Sequence, residues 1–412
     1  MSQPVHIIGI GADGLDGLSP RTHRAIAEAT FLAGGLRHLA LIGSAGAETL
    51  AITNNVAELI ERLQARQQNE RCVVLASGDP MFFGIGHALS EALGHDQILV
   101  DPALSSMQLA FARAGVAWHE AAIASIHGRP LARTLLPLLG KRTIGLFTQD
   151  GGSPAAVASF FLAHELEDYD AWVAESLGSA QERVTALPLR ELIGRRFADL
   201  NVLILKRRSA EMVPQPAASG NLAGIPDGRY AQPETGPVLL THSDVRAVTL
   251  ARFRGLPDGP IWDIGAGLGG VAIELARAFP EREVVAVERA EEQRTYLAAN
   301  RKRFAAHNLR IVAGEAPDAL GAEEPPAAVF LGGSGGRLDA ILDLTAARIV
   351  KGGCLVANFV GLENLSRCLD HLRLEGWTAE VTQIQIAHGQ PLAGLTVLAP
   401  QRPVWVVRGA RS

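Results

Sequence analysis

Short apolar runs with a strand pattern alternate with helical patterns along most of this chain, and this alternation limits the fold more than any other feature. In the first half, helical segments separate predicted strands with the sequences VHIIGIG, CVVLASGD, QILVDPA, TIGLFTQD and NVLILK. Such alternation is typical of layered proteins with largely parallel sheets, so the sequence predicts an α/β fold. Two later runs, YDAWVAESLG and ERVTALPLREL, have no helix between them and predict an antiparallel hairpin on a mixed sheet.

One stretch, residues 207–236, interrupts the alternation. It is rich in Pro, Gly, Ala and Ser and has neither strand nor helix periodicity, so we predict a linker at residues 209–222. A chain of 412 residues also exceeds the size of one ordinary hydrophobic core. The predicted organisation is therefore a domain at residues 1–208, the linker, and a second domain at residues 223–412.

After the linker the alternation is more regular. Predicted strands, each followed by a helical segment, have the sequences PIWDIGAG, EVVAVE, LRIVAG, AAVFLGG and GCLVANFV. The tail then has two strand-like runs, TAEVTQIQIAHG and LTVLAPQRPVWVVRG, joined by a turn-rich loop. Five βα units followed by a hairpin predict the seven-stranded sheet of S-adenosylmethionine (SAM)-dependent methyltransferases, whereas a nicotinamide-binding domain normally continues to a sixth parallel strand.

A glycine-rich loop follows the first strand of this second half. Gly265, Gly267 and Gly270 fit the dinucleotide fingerprint G-x-G-x-x-G, and the same loop fits the D-x-G-x-G pattern of SAM sites. Glycine lets the backbone turn tightly and approach a ligand, and the following helix offers free N–H groups. Asp263 favours SAM, because a carboxylate suits the methionine amino group and repels a pyrophosphate. Glu288 ends the next strand, where an acid binds ribose hydroxyls in either kind of site.

Two further strand ends of this half belong to the same predicted site. VAGEAP places Ala316 after the third strand, where an adenine ring usually lies in this fold. FLGGSGG ends the fourth strand and contains Gly332, Gly333 and Ser334. This loop forms either a bare floor for a large flat acceptor or a simple turn.

The segment LLTHSDVRA precedes the first strand of the second half. Thr241, His242 and Arg246 in this segment either close over a ligand or cap a helix. Arg246, His242 and Ser334 are the candidate catalytic residues, since histidine titrates near neutral pH and arginine binds carboxylates.

Three loops at successive strand ends of the first half combine glycine with polar residues. IIGIGADGLDGLSP contains Gly9, Gly11 and Gly14, and ASGDPMFFGIG contains Gly78 and Asp79. DPALSSMQLAFARAG places two serines at a helix N-terminus, where ordinary capping is the alternative to a binding role. No Rossmann pattern fits the first of these loops well, but the recurrence of the three loops at strand ends indicates a site.

The two halves resemble two different families. GIGADGLDGLSP, GDPMFFGIG, DPALSSMQLAFARAG and SIHGR are similar to motifs of the tetrapyrrole methylase family of corrin biosynthesis. THSDVRA, DIGAGLGGVAIE, VVAVE, GEAP and VFLGGSGG resemble a class I methyltransferase family that also decarboxylates. The resemblance covers nearly the whole chain apart from the linker. It implies an α/β chain with an N-terminal tetrapyrrole-methylase fold of two subdomains, followed by a Rossmann-like class I methyltransferase fold.

The resemblance also implies two SAM sites and a substrate site. Implied SAM contacts of the first half are Gly78, Asp79, Phe83, Ser105 and Ser106. Those of the second half are Thr241, Asp263, Gly265, Ala266, Gly267, Leu268, Gly269, Glu288 and Ala316. Leu268 departs from the family, in which a small hydroxyl residue is common there. Implied substrate contacts are Gly9, Gly11, Gly14, His127, Arg129, Gly332, Gly333 and Arg337.

Joined in this order, the halves resemble bifunctional enzymes of cobalamin biosynthesis. The implied reaction methylates a reduced precorrin at C5 and C15 and decarboxylates the ring C acetate, giving precorrin-8X. Because meso carbons of reduced tetrapyrroles are enamine-like nucleophiles, positioning and desolvation matter more than a strong base. Two alternatives stay open at this point: an NAD-dependent oxidoreductase that uses Gly265–Gly270, and a first half that only scaffolds or dimerises the second.

Composition narrows the expected partners and compartment. A formal net charge of −5 does not favour nucleic-acid binding. No apolar run approaches the roughly 20 residues that span a bilayer, and the three cysteines form no C-x-x-C pair, so we expect a cytoplasmic protein with no membrane partner. No His, Cys or Asp cluster has metal-ligand spacing, so no metal is predicted. The family resemblance implies a homo-oligomer.

Overall fold

The structure, a computed structural model, describes residues 3–11, 13–43, 46–67, 69–208, 223–236 and 238–411. The linker predicted at residues 209–222 lies outside this set. The chain divides into two compact units: Met1–Leu131, Lys141–Leu162 and Glu167–Arg208 form the first, and Ala132–Gly140, Ala163–Leu166 and Ser209–Ser412 form the second. No helix within the described ranges is long and apolar enough to cross a membrane.

The first unit begins with a parallel five-stranded sheet in the order β3-β2-β4-β1-β5. Its strands are β1 (Val5–Ile10), β2 (Phe31–Gly34), β3 (Glu48–Ala51), β4 (Cys72–Ser77) and β5 (Ile98–Asp101). The helices between them are α1 (Pro20–Ala27), α2 (Leu36–Ile42), α3 (Val56–Gln64) and α4 (Gly86–Leu93). Because β4, β1 and β5 are neighbours, the glycine loops that follow them lie at one edge of the sheet.

A second five-stranded sheet, in the order β6-β7-β10-β8-β9, completes the first half of the chain. Its strands are β6 (Ala122–Ser125), β7 (Thr143–Phe147), β8 (Tyr169–Glu175), β9 (Arg183–Pro188) and β10 (Asn201–Arg207). Helices here are α5 (Ser106–Ala114), α6 (Leu131–Leu135) and α7 (Ser153–Ala163). Strands β6 and β7 are parallel and β8 and β9 are antiparallel, so the predicted hairpin on a mixed sheet is confirmed.

The second unit contains a seven-stranded sheet in the order β13-β12-β11-β14-β15-β19-β16. Its five parallel strands are β11 (Ile261–Ile264), β12 (Val284–Glu288), β13 (Leu309–Ala313), β14 (Ala328–Leu331) and β15 (Cys354–Phe359). The helices are α8 (Ser243–Leu250), α9 (Gly270–Ala278), α10 (Glu291–Arg303), α11 (Leu338–Arg348) and α12 (Leu362–Leu374). Alternate strand residues are buried on opposite faces of the sheet, as Ile261 and Trp262 are, which explains the continuous apolar runs of these strands.

The tail of the second unit has more strands than the two predicted. It contains β16 (Thr378–Ile384), β17 (Ala387–Leu392), β18 (Leu395–Pro400) and β19 (Val404–Ala410). Strand β19 pairs antiparallel with both β15 and β16, which confirms the predicted closing hairpin of the sheet. Strands β17 and β18 form a separate two-stranded ribbon. Each predicted tail run is therefore two strands, and Pro400 and Pro403 at the junction of the second run cannot donate hydrogen bonds to a continuous strand.

Candidate active site

A cavity of about 420 Å³ lies at the carboxyl ends of β11, β12 and β14. This volume is within the range of about 300–1,000 Å³ that is usual for small-molecule sites. The glycine loop after β11 forms one side of it. Gly265, Gly267 and Gly269 all have left-handed backbone angles, with φ of +74°, +56° and +86°. A Cβ on Gly265 would lie 2.7 Å from the carbonyl oxygen of Gly333, so the loop needs glycine here for both its φ and its close contact.

Asp263 presents a buried, unsatisfied carboxylate to this cavity. The residue is 1% exposed, and within the described part of the chain neither carboxylate oxygen has a hydrogen bond of good geometry. Burial raises the pKa of Asp263 to about 7, the amide of Ala272 in α9 opposes this change, and the nearby Glu288 charge adds to it. Because an unpaired buried carboxylate is costly, the site is suited to a cationic group of a ligand.

Glu288 is held in one orientation at the end of β12. Its Oε2 accepts a hydrogen bond of 2.8 Å from the Gly267 amide, and its Oε1 accepts one of 2.9 Å from the Ala290 amide. The first contact connects the acid to the glycine loop, and the second connects it to the start of α10. The carboxylate therefore has the position and the fixed geometry that binding a pair of ribose hydroxyls requires.

Most residues predicted for the second half line this cavity. They are Thr241, Asp263, Gly265, Ala266, Gly267, Glu288, Ala316, Gly332, Gly333 and Ser334. Leu268 and Gly269 are not among the lining residues, since the Leu268 side chain is fully buried in the core and a Cβ on Gly269 would meet Leu297. The leucine that departs from the family pattern at position 268 therefore packs in the protein interior and does not face the cavity.

Arg246 is not positioned as a substrate-binding or catalytic residue. Its side chain is 0% exposed, and its Nε donates to Glu274 at 2.7 Å while Nη1 donates to Asp227 at 2.8 Å. The guanidinium also donates to the carbonyl oxygens of Thr241 and Ile225. Each of its three side-chain nitrogens donates to a protein partner, so we correct the expected role: Arg246 anchors the segment before α8 to α9.

His242 and Arg337 also lie outside the cavity lining. His242 caps α8, where its Nδ1 accepts a hydrogen bond of 3.3 Å from the Asp244 amide. Arg337 donates to Asp318 at 2.6 Å just before α11. The sequence spacing predicted no cluster of metal ligands. The fold nevertheless brings His242, Asp244 and His388 together, with their possible ligand atoms within 4.8 Å of one another.

Sequence reasoning missed two charged residues at the cavity. Arg289 and Glu315 both line it and pair with each other at 2.9 Å. A signal was present, because Arg289 directly follows the predicted ribose-binding Glu288 and Glu315 directly precedes Ala316. Their pairing across two strand ends could not be read from either local motif.

In the first unit the predicted residues meet at the loop edge of the parallel sheet. The Ala103 amide donates to the Gly78 carbonyl at 3.1 Å, and a Cβ on Gly9 would lie 2.0 Å from that same oxygen. Gly14 donates to the Gly11 carbonyl at 3.2 Å and closes a tight turn. A smaller cavity of about 180 Å³ beside these loops is lined by Gly9 but by neither Gly11 nor Gly14.

The Asp79 loop that follows β4 is turned by its own side chain. Asp79 Oδ1 accepts a hydrogen bond of 2.9 Å from the Met81 amide. Phe83 has a left-handed backbone with φ of +55°, which is unusual for a residue with a side chain, and its ring is half exposed. The Arg129 guanidinium lies 5.9 Å from the Phe83 ring centre, so the structure brings these two predicted residues together.

The remaining predicted residues of the first half have simpler positions. Ser105 forms a capping box with Gln108 at the start of α5, so the capping alternative accounts for its hydroxyl. Ser106, the first residue of α5, is exposed. His127 is exposed in the turn after β6, where its amide donates to the Ser125 hydroxyl at 3.4 Å.

Comparisons with known proteins match both halves of the chain. Residues 4–193 match the family model of tetrapyrrole (corrin/porphyrin) methylases, and residues 236–409 match that of a precorrin methyltransferase domain. A precorrin-6Y C(5,15)-methyltransferase (decarboxylating) from Sinorhizobium is 34% identical over 408 residues, which cover 97% of this chain and 94% of the relative.

Two shorter relatives come from Salmonella typhimurium. A cobalt-precorrin-6B C(15)-methyltransferase (decarboxylating) is 37% identical over 171 residues, covering 41% of this chain and 88% of the relative. A cobalt-precorrin-7 C(5)-methyltransferase is 31% identical over 183 residues, covering 44% of this chain and 90% of the relative. The oxidoreductase alternative has no support among these relatives, and the chain belongs to the family of decarboxylating precorrin-6Y C5,15-methyltransferases, which depend on SAM.

Proposed function

We propose that this chain uses two SAM sites, one in each half, to methylate precorrin-6Y at C5 and C15 and to remove carbon dioxide from its ring C acetate, giving precorrin-8X. The domains that carry these reactions are residues 1–208 and 223–412. The observation that carries the proposal is the buried, unpaired Asp263 carboxylate facing a cavity behind a glycine loop. The name of the Sinorhizobium relative supports the choice of substrate.

The residues of the second half fit a bound SAM. Asp263 would hold the amino group, Glu288 would hold the ribose hydroxyls, and the wall beside Ala316 would hold the adenine. When bound there, SAM supplies an electrophilic methyl carbon on a sulfonium. The loop of Gly332, Gly333 and Ser334 lines the same cavity and carries no bulky side chain that would obstruct a flat acceptor.

The residues of the first half fit a second SAM site less completely. Gly78 and Asp79 form the tight loop, and Phe83 presents a half-exposed ring beside it. Arg129 lies over that ring and would bind a substrate carboxylate. We retain Gly9, Gly11, Gly14 and His127 as substrate contacts and Ser106 as a SAM contact of this half, as the family resemblance implies.

We assign C15 methylation and decarboxylation to the second half and C5 methylation to the first. The support is the resemblance of the second half to decarboxylating class I methyltransferases, together with relatives that carry the C15 and C5 reactions on separate chains. In the decarboxylation, the bond between the acetate methylene and its carboxylate breaks and carbon dioxide leaves. The electron pair enters the conjugated ring, and a proton is later taken up at the exocyclic carbon.

Mass spectrometry of the product tests the reaction as a whole. Purified full chain, SAM and precorrin-6Y should give a product with two added methyl groups and one carbon dioxide lost. A product that gains methyl groups but keeps the carboxylate would overturn the decarboxylation. No reaction with SAM, together with turnover on a nicotinamide cofactor, would overturn the whole proposal.

Replacing Asp79 with alanine should abolish one of the two methylations and leave the other. The Asp79 carboxylate turns the loop through its bond to the Met81 amide, so the substitution disrupts the proposed first site without touching the second unit. The readout is the number of methyl groups on the product. Asp96→Ala, at an exposed aspartate of the first unit, is the control and should retain both. Two methylations in Asp79→Ala would favour a first half that only scaffolds.

SAM affinity of the second site should depend on pH because of Asp263. Its pKa of about 7 means that the carboxyl of the free protein becomes protonated as the pH falls through that value, and a neutral carboxyl does not attract an ammonium group. In an Asp79→Ala background the dissociation constant for SAM should therefore rise about tenfold per pH unit below about pH 7. Calorimetry at several pH values measures this slope. Asp263→Asn should remove the slope, and an equal slope in that variant would show that another group titrates.

Two further expectations stay predictions. The family resemblance implies that the chain assembles as a homo-oligomer, and the composition implies that it acts in the cytoplasm without a nucleic-acid or membrane partner.

A further inference from the structure

We propose that His242, Asp244 and His388 form a binding site for a divalent transition-metal ion such as Zn²⁺. Asp244 Oδ2 lies 3.5 Å from His242 Nδ1 and 3.1 Å from His388 Nε2. Ligand atoms bound at about 2.0–2.2 Å from a tetrahedral zinc lie about 3.3–3.6 Å from each other. The observed spacing therefore requires only small side-chain movements to close around one ion.

The three side chains converge from separate parts of the second unit. His242 and Asp244 stand at the start of α8, and His388 belongs to β17 of the tail ribbon. The two imidazole rings are 5.1 Å apart and tilted by 46°, so they are not stacked face to face. A donor set of two neutral imidazoles and a carboxylate suits zinc better than it suits calcium or magnesium.

A fourth residue supports the orientation of one ligand. His242 Nε2 lies 3.7 Å from Asp227 Oδ2, on the other side of the ring from Nδ1. Metal-binding histidines usually direct their second ring nitrogen at a carboxylate, which fixes the tautomer that leaves the first nitrogen free to bind. Asp227 is itself held by Arg246 at 2.8 Å. Bound metal would replace the long hydrogen bond of 3.3 Å that Nδ1 accepts from the Asp244 amide.

The site is open to solvent and adjoins the cavity. His242, Asp244 and His388 have side-chain exposures of 31%, 51% and 47%, so an ion can enter and keep a coordination position for another ligand. Thr241, which precedes His242, lines the SAM cavity. A carboxylate oxygen of an acidic substrate is a suitable additional ligand, but metal binding itself does not depend on the proposed reaction.

Zinc titration of the full chain tests the proposal without SAM or precorrin. After removal of metals with a chelator, the chain should bind one zinc ion in competition with a chromophoric chelator, and His388→Gln or Asp244→Asn should weaken binding at least tenfold. His371→Gln is the matched control, because His371 pairs with a single carboxylate, Asp343, at 2.9 Å. The His371→Gln variant should bind zinc as tightly as the wild type.

A second readout separates metal coordination from nonspecific adsorption. Co²⁺ in place of Zn²⁺ should give the intense visible absorption of a tetrahedral ion, and His388→Gln should lose it. Asp227→Asn should weaken zinc binding about 10–100-fold through the orientation of His242, with folding verified by the thermal midpoint. Equal zinc affinity in the wild type and His388→Gln would overturn the proposal, whether or not the chain methylates precorrin.

Discussion

Replacing Arg246 with alanine is expected to destabilise the second unit by about 3–5 kcal/mol, because removing one partner of a buried ion pair leaves an uncompensated charge. The charge left behind is Glu274, which is 2% exposed and accepts the Arg246 Nε bond of 2.7 Å. At about 2–4 °C per kcal/mol for a unit of this size, the thermal midpoint should fall by roughly 6–20 °C.

The Arg246→Ala substitution should also disturb the SAM cavity. Arg246 donates to the carbonyl oxygen of Thr241, and Thr241 lines the SAM site. Arg246 also donates to Asp227 at 2.8 Å and to the carbonyl oxygen of Ile225, so the segment before α8 would lose several anchors together. SAM affinity of the second site should therefore weaken along with stability.

Arg337→Ala is the control for the Arg246 experiment. Arg337 forms an ion pair with Asp318 on the surface, and exposed pairs contribute little to stability. Scanning calorimetry of the two variants should show a lowered midpoint for Arg246→Ala and an unchanged one for Arg337→Ala. Equal midpoints would mean that the buried network is not the anchor inferred from its contacts.

Arg246 also shows where sequence reasoning stops. Its place in THSDVRA predicted a side chain that faces a ligand. A local motif cannot show that the guanidinium is already paired with carboxylates of the protein. Its partners Asp227 and Glu274 lie 19 and 28 residues away along the chain. The same limit applies to His388, which joins His242 only because the tail ribbon reaches the start of α8.

The glycine loop was predictable because its requirements are local. A strand end, a turn with positive φ and a helix start follow one another within ten residues, and each has its own residue preference. Asp263 and Gly265 therefore appear at the cavity where the pattern predicted them. Glu288 belongs to the next strand of a parallel sheet, so the sheet topology brings its end to the same edge.

Two short strands of the first sheet were not predicted. Strands β2 and β3 have four residues each, and the sequence of β3, ETLA, is not an apolar run. In the tail, β-forming residues continue from one strand into the next, so the sequence pattern merged β16 with β17 and β18 with β19. The separation into a sheet and a ribbon depends on pairing between distant strands, which local propensity does not determine.

Replacing Gly267 with alanine is expected to remove one of two SAM equivalents bound by the full chain. The added Cβ would lie 2.4 Å from the carbonyl oxygen of Leu239, and a φ of +56° costs an alanine about 1–2 kcal/mol. The loop must move to relieve the contact, and the Gly267 amide would then leave Glu288 Oε2. We expect at least a hundredfold weaker second-site affinity in calorimetric titration, about 2.7 kcal/mol of binding free energy.

Gly352→Ala separates loss of the site from general backbone strain. Gly352 has a similar φ of +78°, but a Cβ there would meet no atom within 4 Å. That variant should lower stability slightly and keep both SAM equivalents. Gly267→Ala combined with Asp79→Ala should bind no SAM, because each substitution disrupts a different half. If Gly267→Ala alone still binds two equivalents with affinities near those of the wild type, the loop after β11 does not hold the methyl donor.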